Sequence, residues 1–270
     1  MSRALTLVAD DYGLTAAIDR GILRLVAHRR LSAVSCLVNG PRWTAAAREL
    51  VAMAPVRQGR VRTGLHFNLT EGKPLSPELA ALWPQLPDLQ RLIVLAHLHR
   101  LPQAALRAEL RAQLAAFEQG RGRPPSHIDG HQHVHHLPQV REAVLAQVAL
   151  RADFKVRHTG RVLGPGFGVK RLLIEGTGGQ AMGRRLEALG RHDNTQLFGV
   201  YNFKVADYRG LFGRWLALLP KQGGMILCHP GEAADKGGND PIAAARVREL
   251  AYLDSDAFTE DLRIAGVRLG

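Results

Sequence analysis

The 270-residue chain contains little cysteine and has no long apolar run. Its two cysteines, Cys36 and Cys228, lie in separate apolar stretches, so we expect neither a disulfide framework nor a cysteine-based zinc site. No run of about 18 uncharged apolar residues is present, and acidic residues follow the amino terminus too early for a secretory signal. These absences predict a cytoplasmic protein without stable insertion into a membrane.

Aromatic residues are also scarce, at 6% of the chain, whereas positive charge is in excess, with a formal net charge of +12. Such a charge permits nucleic acid, anionic lipid surfaces or acidic substrates as partners. The arginines, however, are dispersed along predicted helices and form no block interleaved with the stacking aromatic rings that single-stranded nucleic acid requires. The composition therefore predicts no nucleic-acid partner.

Short apolar segments alternate with longer segments of helical period. Strands are predicted at 5–9, 33–39, 62–69, 154–157, 197–201 and 224–228, and helices at 15–28, 43–53, 103–119, 138–150, 208–219, 243–250 and 256–265. Residues 160–195 give no clear pattern. With no linker or internal repeat, this alternation predicts one domain over residues 1–270, an α/β fold of the (β/α) barrel type, TIM-barrel-like, either complete or distorted with fewer than eight strands.

A dense histidine cluster follows one predicted strand. Residues 126–137 read SHIDGHQHVHHL and contain His127, His131, His133, His135 and His136. Neutral imidazole is the commonest protein ligand for borderline metal ions, and on a strand the alternate residues 131, 133 and 135 would face the same way. The cluster favours a metal-binding or catalytic role over a solvated loop.

Polar residues follow four of the predicted strands. They are Asp10 and Asp11, His66, Asp129 with His131, and His229. Because the carboxyl ends of barrel strands open on one face, we expect these side chains to meet in one cleft. One carboxylate and two imidazoles can hold a divalent ion that polarises a carbonyl and acidifies water, while a second carboxylate accepts a proton. Alone, the aspartate pair could equally form a turn or cap the helix that follows.

Five motifs recur in order along nearly the whole chain. They are VADDYGLT at 8–15, LVNG at 37–40, GLHFNLTEGKPL at 64–75, HIDGHQHVHHLP at 127–138 and CHPG at 228–231. Together they resemble the YdjC-like carbohydrate deacetylases, a family that includes deacetylases of chitooligosaccharides and of acetylated amino sugars on hopanoid lipids. The resemblance implies a β/α-barrel-like fold, one divalent metal ion, with magnesium or zinc expected, and removal of the acetyl group from an N-acetylated amino sugar.

The resemblance also implies roles for individual residues. Asp11, His66 and His131 match the metal ligands. Asp10 matches the catalytic base, and His229 is placed as a general acid for the leaving amine or as an imidazolium that steadies the oxyanion. One departure concerns Gly130, which stands where serine is usual and could loosen the turn that aims His131.

Other side chains carry weaker predictions. Asp129 could orient an imidazole by accepting its second N–H, and His133 and His135 could line the pocket or replace a ligand. Asn68 and Thr70 could form hydrogen bonds with sugar hydroxyls or with backbone groups of the loop that follows the strand. His127 and His136 are expected to be structural, Trp43, Trp83 and Trp215 to pack in the core, and Asp235, Lys236 and Asn239 to form a mobile rim after CHPG.

Two other functions use the same sequence features. A metal-dependent phosphoesterase or another amidohydrolase on the same barrel is the first alternative, although a two-metal site usually needs more ligands than are evident here. A basic protein that binds nucleic acid or membrane is the weaker one. The substrate is expected to be an N-acetylated amino sugar, free or lipid-linked, and the sequence is compatible with a homodimer.

Overall fold

A computed structural model of the protein describes residues 2–151, 153–234 and 240–270, so the predicted rim residues Asp235, Lys236 and Asn239 lie outside the described part of the chain. Within these described ranges, eight parallel strands form one curled sheet. They are β1 (Arg3–Tyr12), β2 (Ala33–Cys36), β3 (Arg62–Phe67), β4 (His127–Gly130), β5 (Lys155–Val156), β6 (Leu197–Phe198), β7 (Gly224–Cys228) and β8 (Val267–Leu269).

The strands follow the order β5-β4-β3-β2-β1-β7-β6, and β8 pairs with the first residues of β1. The two ends of this path, β5 and β6, do not form a ladder with each other within the described residues. Isolated bridges join Val156 to His192 and Val162 to Leu197 instead. The sheet is therefore a distorted, incompletely closed barrel, which confirms the predicted fold class.

Helices connect the strands. Their bounds are α1 (Ala16–Ala27), α2 (Trp43–Ala52), α3 (Ala54–Arg57), α4 (Pro77–Ala80), α5 (Leu89–His97), α6 (Gln103–Arg121), α7 (Val140–Leu150), α8 (Gly168–Ile174), α9 (Gln180–Leu189), α10 (Tyr208–Leu218), α11 (Ala243–Leu253) and α12 (Asp256–Ile264). A 3-10 segment covers His131–His136, and a π-helical turn, Glu175–Gly179, joins α8 to α9. None of the helices in the described ranges has the length and apolar character needed to cross a bilayer.

Local signals explain why the longest helix, α6, has these bounds. It starts directly after Pro102 and ends at Gly122, whose left-handed φ of 68° suits glycine and whose N–H closes the last turn on Glu118. Leu106, Leu110 and Leu114 recur every four residues on its buried face. Burial of each such leucine contributes roughly 1.5–3 kcal/mol, so tertiary packing holds this helix in place.

The core contains the residues that sequence patterning assigned to it. Trp43 stacks on Phe117, Trp215 is fully buried, and Trp83 packs against the edge of the core, as predicted. Both cysteines are free and buried, so the expectation of no disulfide is also confirmed.

Several predicted elements differ from the observed ones. Strands predicted at 33–39 and 197–201 end early, at Cys36 and Phe198, while α5 and β8 were not predicted at all. The segment without a clear pattern forms α8, the π turn and α9. Most importantly, the strand-like interpretation of the histidine cluster is wrong, because Gln132 and His133 adopt left-handed φ values of 52° and 63°, which a strand cannot accommodate.

Candidate metal centre and active site

The carboxyl end of β1 directs two adjacent aspartates toward the same cavity. In a regular strand, neighbouring side chains point to opposite faces. Here the register shifts between Ala9 and Tyr12, and Asp11 has a left-handed φ of 70°. Aspartate tolerates this conformation better than most residues, and such strain is concentrated at functional sites. The bulge explains how both Asp10 and Asp11 line one cavity.

Three buried side chains from β1, β3 and the segment after β4 converge at this point. The Oδ1 atom of Asp11 lies 2.9 Å from Nδ1 of His131 and 3.4 Å from Nε2 of His66. Each of the three residues offers one ligand atom, and these atoms lie within 4.8 Å of one another. The structure thus brings together Asp11, His66 and His131, the set that the motifs suggested.

The electrostatics of this triad favour positive charge. Burial alone would raise the pKa of Asp11, but Arg246 and His131 hold it well below its usual range. Burial alone would lower the pKa of His66, yet the carboxylates of Asp129 and Asp10 raise it to about 10. Burial would also lower the pKa of His131, but the carboxylate of Asp11 outweighs it and raises that pKa. The carboxylates therefore favour a protonated imidazole at both His66 and His131, as expected where a cation would bind.

The donor set also fits a divalent ion. One carboxylate oxygen and two imidazole nitrogens are common ligands of zinc and related ions in hydrolytic sites, with further positions left open. The other ring nitrogen of His131, Nε2, is buried and makes no hydrogen bond within the described residues; Glu71 Oε1 lies 3.8 Å from it. An ion bound here would displace the protons that the site holds on these two imidazoles.

A second acidic group lies beside the first. Asp10, His66 and Asp129 also place ligand atoms within 4.8 Å of one another. The guanidinium of Arg157 lies between these two carboxylates. Its Nη1 and Nη2 donate to the two oxygens of Asp10, each at 2.7 Å, and Nη2 also contacts Asp129. Arg157 is 1% exposed. A fixed cationic side chain therefore occupies the place of a second metal ion.

Asp129 holds His66 in position, an arrangement common around metal-binding histidines. The Nδ1–H of His66 donates to Asp129 Oδ1 at 2.7 Å, which leaves Nε2 facing Asp11. The Ser35 hydroxyl donates to the other oxygen of Asp129 at 2.6 Å. The orientation of the His66 ring is thereby determined by a residue 63 positions away in sequence.

His229 follows β7 and borders the cavity near both aspartates. Burial lowers its pKa to about 4 although Asp11 and Asp10 oppose the shift, so its imidazole is neutral near pH 7. Its Nδ1 atom is buried and has no hydrogen-bond partner in the part of the chain that is described. Its backbone N–H donates to Glu249 Oε2 at 2.6 Å, and Tyr201 donates to the other oxygen of Glu249 at the same distance.

The remaining histidines of the cluster differ in position. His133 and His136 border the cavity, and His136 also bonds to the hydroxyls of Thr159 and Thr177. His135 is fully buried behind the wall, where its Nε2–H donates to the carbonyl of Arg157 at 3.1 Å. His127 bonds to Ser35 and Ser126. The left-handed turn at 132–133 separates these side chains.

Asn68 lies outside the cavity lining. It is fully buried, its side-chain oxygen accepts the N–H groups of Thr70 and Glu71, and its amide donates to Asn39. Gly130 has an extended backbone, and a Cβ there would lie 2.7 Å from the backbone nitrogen of His135. The usual serine would therefore require the histidine segment to move.

Sequence reasoning missed three charged residues of the site: Arg157, Arg246 and Glu249. Arg246 is 3% exposed; its Nη2 donates to Asp11 Oδ2 at 2.8 Å and its Nε to Asp240 at 2.6 Å. Arg157 is the last residue of the strand predicted at 154–157, so the same convergence argument could have identified it. Arg246 and Glu249 lie within α11 and carry no comparable signal.

The cavity above these groups has a volume of about 760 Å³. This falls within the range typical of small-molecule sites. Its base is polar, with Asp10, Asp11, His66, His131 and His229, while large parts of its wall are apolar. The apolar side chains include Leu14, Leu89, Ile93, Leu173, Phe203 and Ile242.

Comparisons with known proteins agree with this architecture. The chain is 40% identical over 172 residues to a human carbohydrate deacetylase, covering 61% of this chain and 50% of the relative. It is 36% identical over 164 residues to a chitooligosaccharide deacetylase of Proteus mirabilis, covering 58% and 59%, respectively. The aligned segments thus span about half the length of these curated relatives.

A solved structure with the same fold comes from Enterococcus faecalis V583, a protein named for cellobiose-phosphate cleavage. It superimposes with a TM-score of 0.73 at 19% identity, covering 100% of this chain and 97% of the other. The sequence profile of the YdjC-like protein family matches residues 4–263. The chain therefore belongs to the YdjC-like protein family.

Proposed function

We propose that this protein is a metal-dependent carbohydrate deacetylase that hydrolyses the acetamide of an N-acetylated amino sugar and releases acetate and a free amine. The observation that carries the proposal is the convergence of Asp11, His66 and His131 beside a further carboxylate, Asp10, and a buried histidine, His229, in one cavity. The names of the curated relatives support the substrate class. In this proposal residues 1–270 act as one deacetylase domain.

Asp11, His66 and His131 would hold one divalent ion, with zinc or magnesium expected. When bound, the ion supplies Lewis-acid chemistry, which polarises an amide carbonyl and acidifies water. The apolar wall of the cavity excludes bulk water from the reacting groups and is also compatible with a lipid-linked sugar.

Asp10 is proposed as the general base that accepts a proton from the attacking water. Its two oxygens each accept one hydrogen bond from Arg157, which orients the carboxylate and leaves further lone pairs free toward the cavity. Arg157 is thus a positioning residue for the base, and Asp129 has the same relation to His66.

His229 is proposed to protonate the leaving nitrogen. Because its pKa is about 4, the imidazole is neutral at rest, so the proton it delivers must arrive during turnover. The proton that Asp10 takes from the attacking water would be passed to His229 and from there to the leaving nitrogen. The overall reaction then balances, since one water is consumed for each acetamide cleaved.

The placement of Arg157 weighs against the phosphoesterase alternative. Two-metal phosphoesterases hold two ions close together, and here the carboxylates of Asp10 and Asp129, which could share a second ion, are bonded to Arg157. We expect one ion per chain. A measured ratio of two would favour the phosphoesterase.

Acetate release from a panel of N-acetylated amino sugars, measured together with metal content, tests the proposal. Asp10→Asn should keep the ion and lose turnover by about 10²–10⁴-fold, the usual contribution of a general base. His131→Ala should lose both ion and turnover. The matched controls Asp88→Asn and His97→Ala, at exposed positions of the same residue types, should keep both.

Two results would contradict the assignment. Full activity of the metal-free protein would rule out the role of the ion, and full activity of Asp10→Asn would rule out Asp10 as the base. Circular dichroism of each variant distinguishes a lost function from a lost fold.

A further inference from the structure

Two helices that line the cavity also carry large apolar side chains on their outer surfaces. Helix α5 contributes Leu89 and Ile93 to the cavity wall, and α8 contributes Lys170 and Leu173. The exposed residues of these two helices therefore lie close to the cavity. We call the outer faces of α5 and α8, together with Phe167, the cavity rim.

The exposed side chains of α8 form one apolar face. Val169, Leu172 and Leu173 are 65%, 69% and 59% exposed, and their i, i+3, i+4 spacing places them together on the helix surface. Phe167, just before the helix, is 45% exposed. Single exposed leucines are ordinary, but a cluster of four large apolar side chains beside a binding cavity marks an interaction surface.

Helix α5 repeats this pattern on a second part of the rim. Val94, on α5, and Leu98, the residue directly after the helix, are 55% and 57% exposed and are spaced by four residues. The rim thus presents apolar side chains from two separate helices, both of which also line the cavity.

Basic residues outnumber acidic ones on and beside these two helices. Between residues 88 and 100 the chain contains Arg91 and Arg100, both exposed, and one acidic residue, the exposed Asp88 that caps α5. Between residues 161 and 175 it contains an exposed Arg161 together with Lys170 and Arg171, and one acidic residue, Glu175, at the end of α8. Apolar side chains flanked by basic ones are the pattern that helices lying on anionic membranes share.

We propose that the cavity rim docks on an anionic lipid surface, with Val94, Leu98, Val169 and Leu172 entering the bilayer interface and the flanking arginines close to lipid phosphates. Charge favours this occupant over a second copy of the chain, because a two-fold contact of the rim with itself would oppose basic residues to basic residues. Docking of this kind turns the mouth of the cavity toward the membrane. It is peripheral and does not require a helix that crosses the bilayer.

Flotation with lipid vesicles tests this proposal without any turnover. Vesicles of equal parts phosphatidylcholine and phosphatidylglycerol should bind the protein, vesicles of phosphatidylcholine alone should bind it more weakly, and added salt should reduce the binding. Leu172→Glu should lower the affinity for the anionic vesicles about tenfold or more, since it removes apolar contact and adds repulsion. The matched control is Leu150→Glu on α7, where the leucine is 76% exposed but lies away from the cavity lining.

Three outcomes would overturn the proposal. These are failure of the unaltered protein to bind anionic vesicles, an equal loss of binding in both variants, and light scattering that shows a dimer abolished by Leu172→Glu. The last result would identify the rim as a contact between two copies. Because Leu172 does not line the cavity, deacetylation of a small sugar should be unchanged in the variant, so this test fails or succeeds independently of the proposed chemistry.

Discussion

Arg157 should be essential to the stability of the site because it neutralises two buried carboxylates. Its guanidinium donates to both oxygens of Asp10 at 2.7 Å and contacts Asp129, and its side chain is 1% exposed. Burial alone would lower the pKa of Arg157, but the two aspartates raise it, so the charge is kept. Arg157→Gln should leave Asp10 and Asp129 without their counterion.

The expected loss follows from burial. Removing one partner of a buried ion pair costs about 3–5 kcal/mol, because the remaining charge can neither reach water nor find a partner. Arg209 provides the control: it bonds Asp261 with a similar two-point geometry, at 2.8 and 2.9 Å, but its side chain is 57% exposed. Arg209→Gln should change stability little, because exposed pairs are screened by water.

Urea denaturation followed by circular dichroism measures both variants. Adding Asp10→Asn to Arg157→Gln should recover part of the loss, because the substitution removes one of the two uncompensated charges. The reasoning is refuted if Arg157→Gln and Arg209→Gln unfold at the same urea concentration, or if the double variant is as unstable as the sum of the two single ones.

Two further predictions concern other buried groups. Burial raises the pKa of Glu249 to about 7 from an ordinary 4.5, despite hydrogen bonds such as that from Tyr201. The folded protein thus holds a proton that the unfolded chain releases, so stability is full below about pH 4.5 and falls by up to about 3 kcal/mol as the pH rises through 7. Glu249→Gln should remove this fall in urea titrations at acidic and alkaline pH, and an unchanged pH dependence would contradict it. Gly64 packs against His127, whose Nε2 would lie 2.3 Å from an added Cβ. Gly64→Ala should therefore lower the free energy of unfolding by about 1–3 kcal/mol. Gly213 lies in the interior of α10 with open space around it, so Gly213→Ala should raise the free energy of unfolding by about 0.5–1 kcal/mol. Equal melting temperatures for the two variants would refute this.

Much of the fold could be predicted because its signals are local. The helical period of α6 and the apolar runs of β1 and β7 appear within single stretches of sequence. Strand ends were less predictable, as at Cys36 and Phe198, since pairing with a neighbouring strand decides where a strand stops. Strands β5 and β6 illustrate this. Each has only two residues, which are too few to show a periodicity of their own.

The candidate metal ligands could be found for a related reason. Asp11, His66 and His131 each stand next to a strand end, and parallel strands end on one face of a barrel, so their meeting follows from topology without detailed geometry. The histidine segment shows the limit of this reasoning. Its alternating pattern suits a strand, but the chain turns through left-handed residues at 132 and 133.

The sequence by itself determined the family, the class of fold and the residue types that gather at the strand ends, because these depend on short motifs and on periodicity. Only the tertiary structure decided that Arg157 neutralises Asp10 and Asp129, that Arg246 bonds Asp11, and that a bulge turns both adjacent aspartates inward. The charge on a buried carboxylate depends on which side chains surround it in space. Those neighbours come from positions up to 235 residues away, which no local pattern encodes.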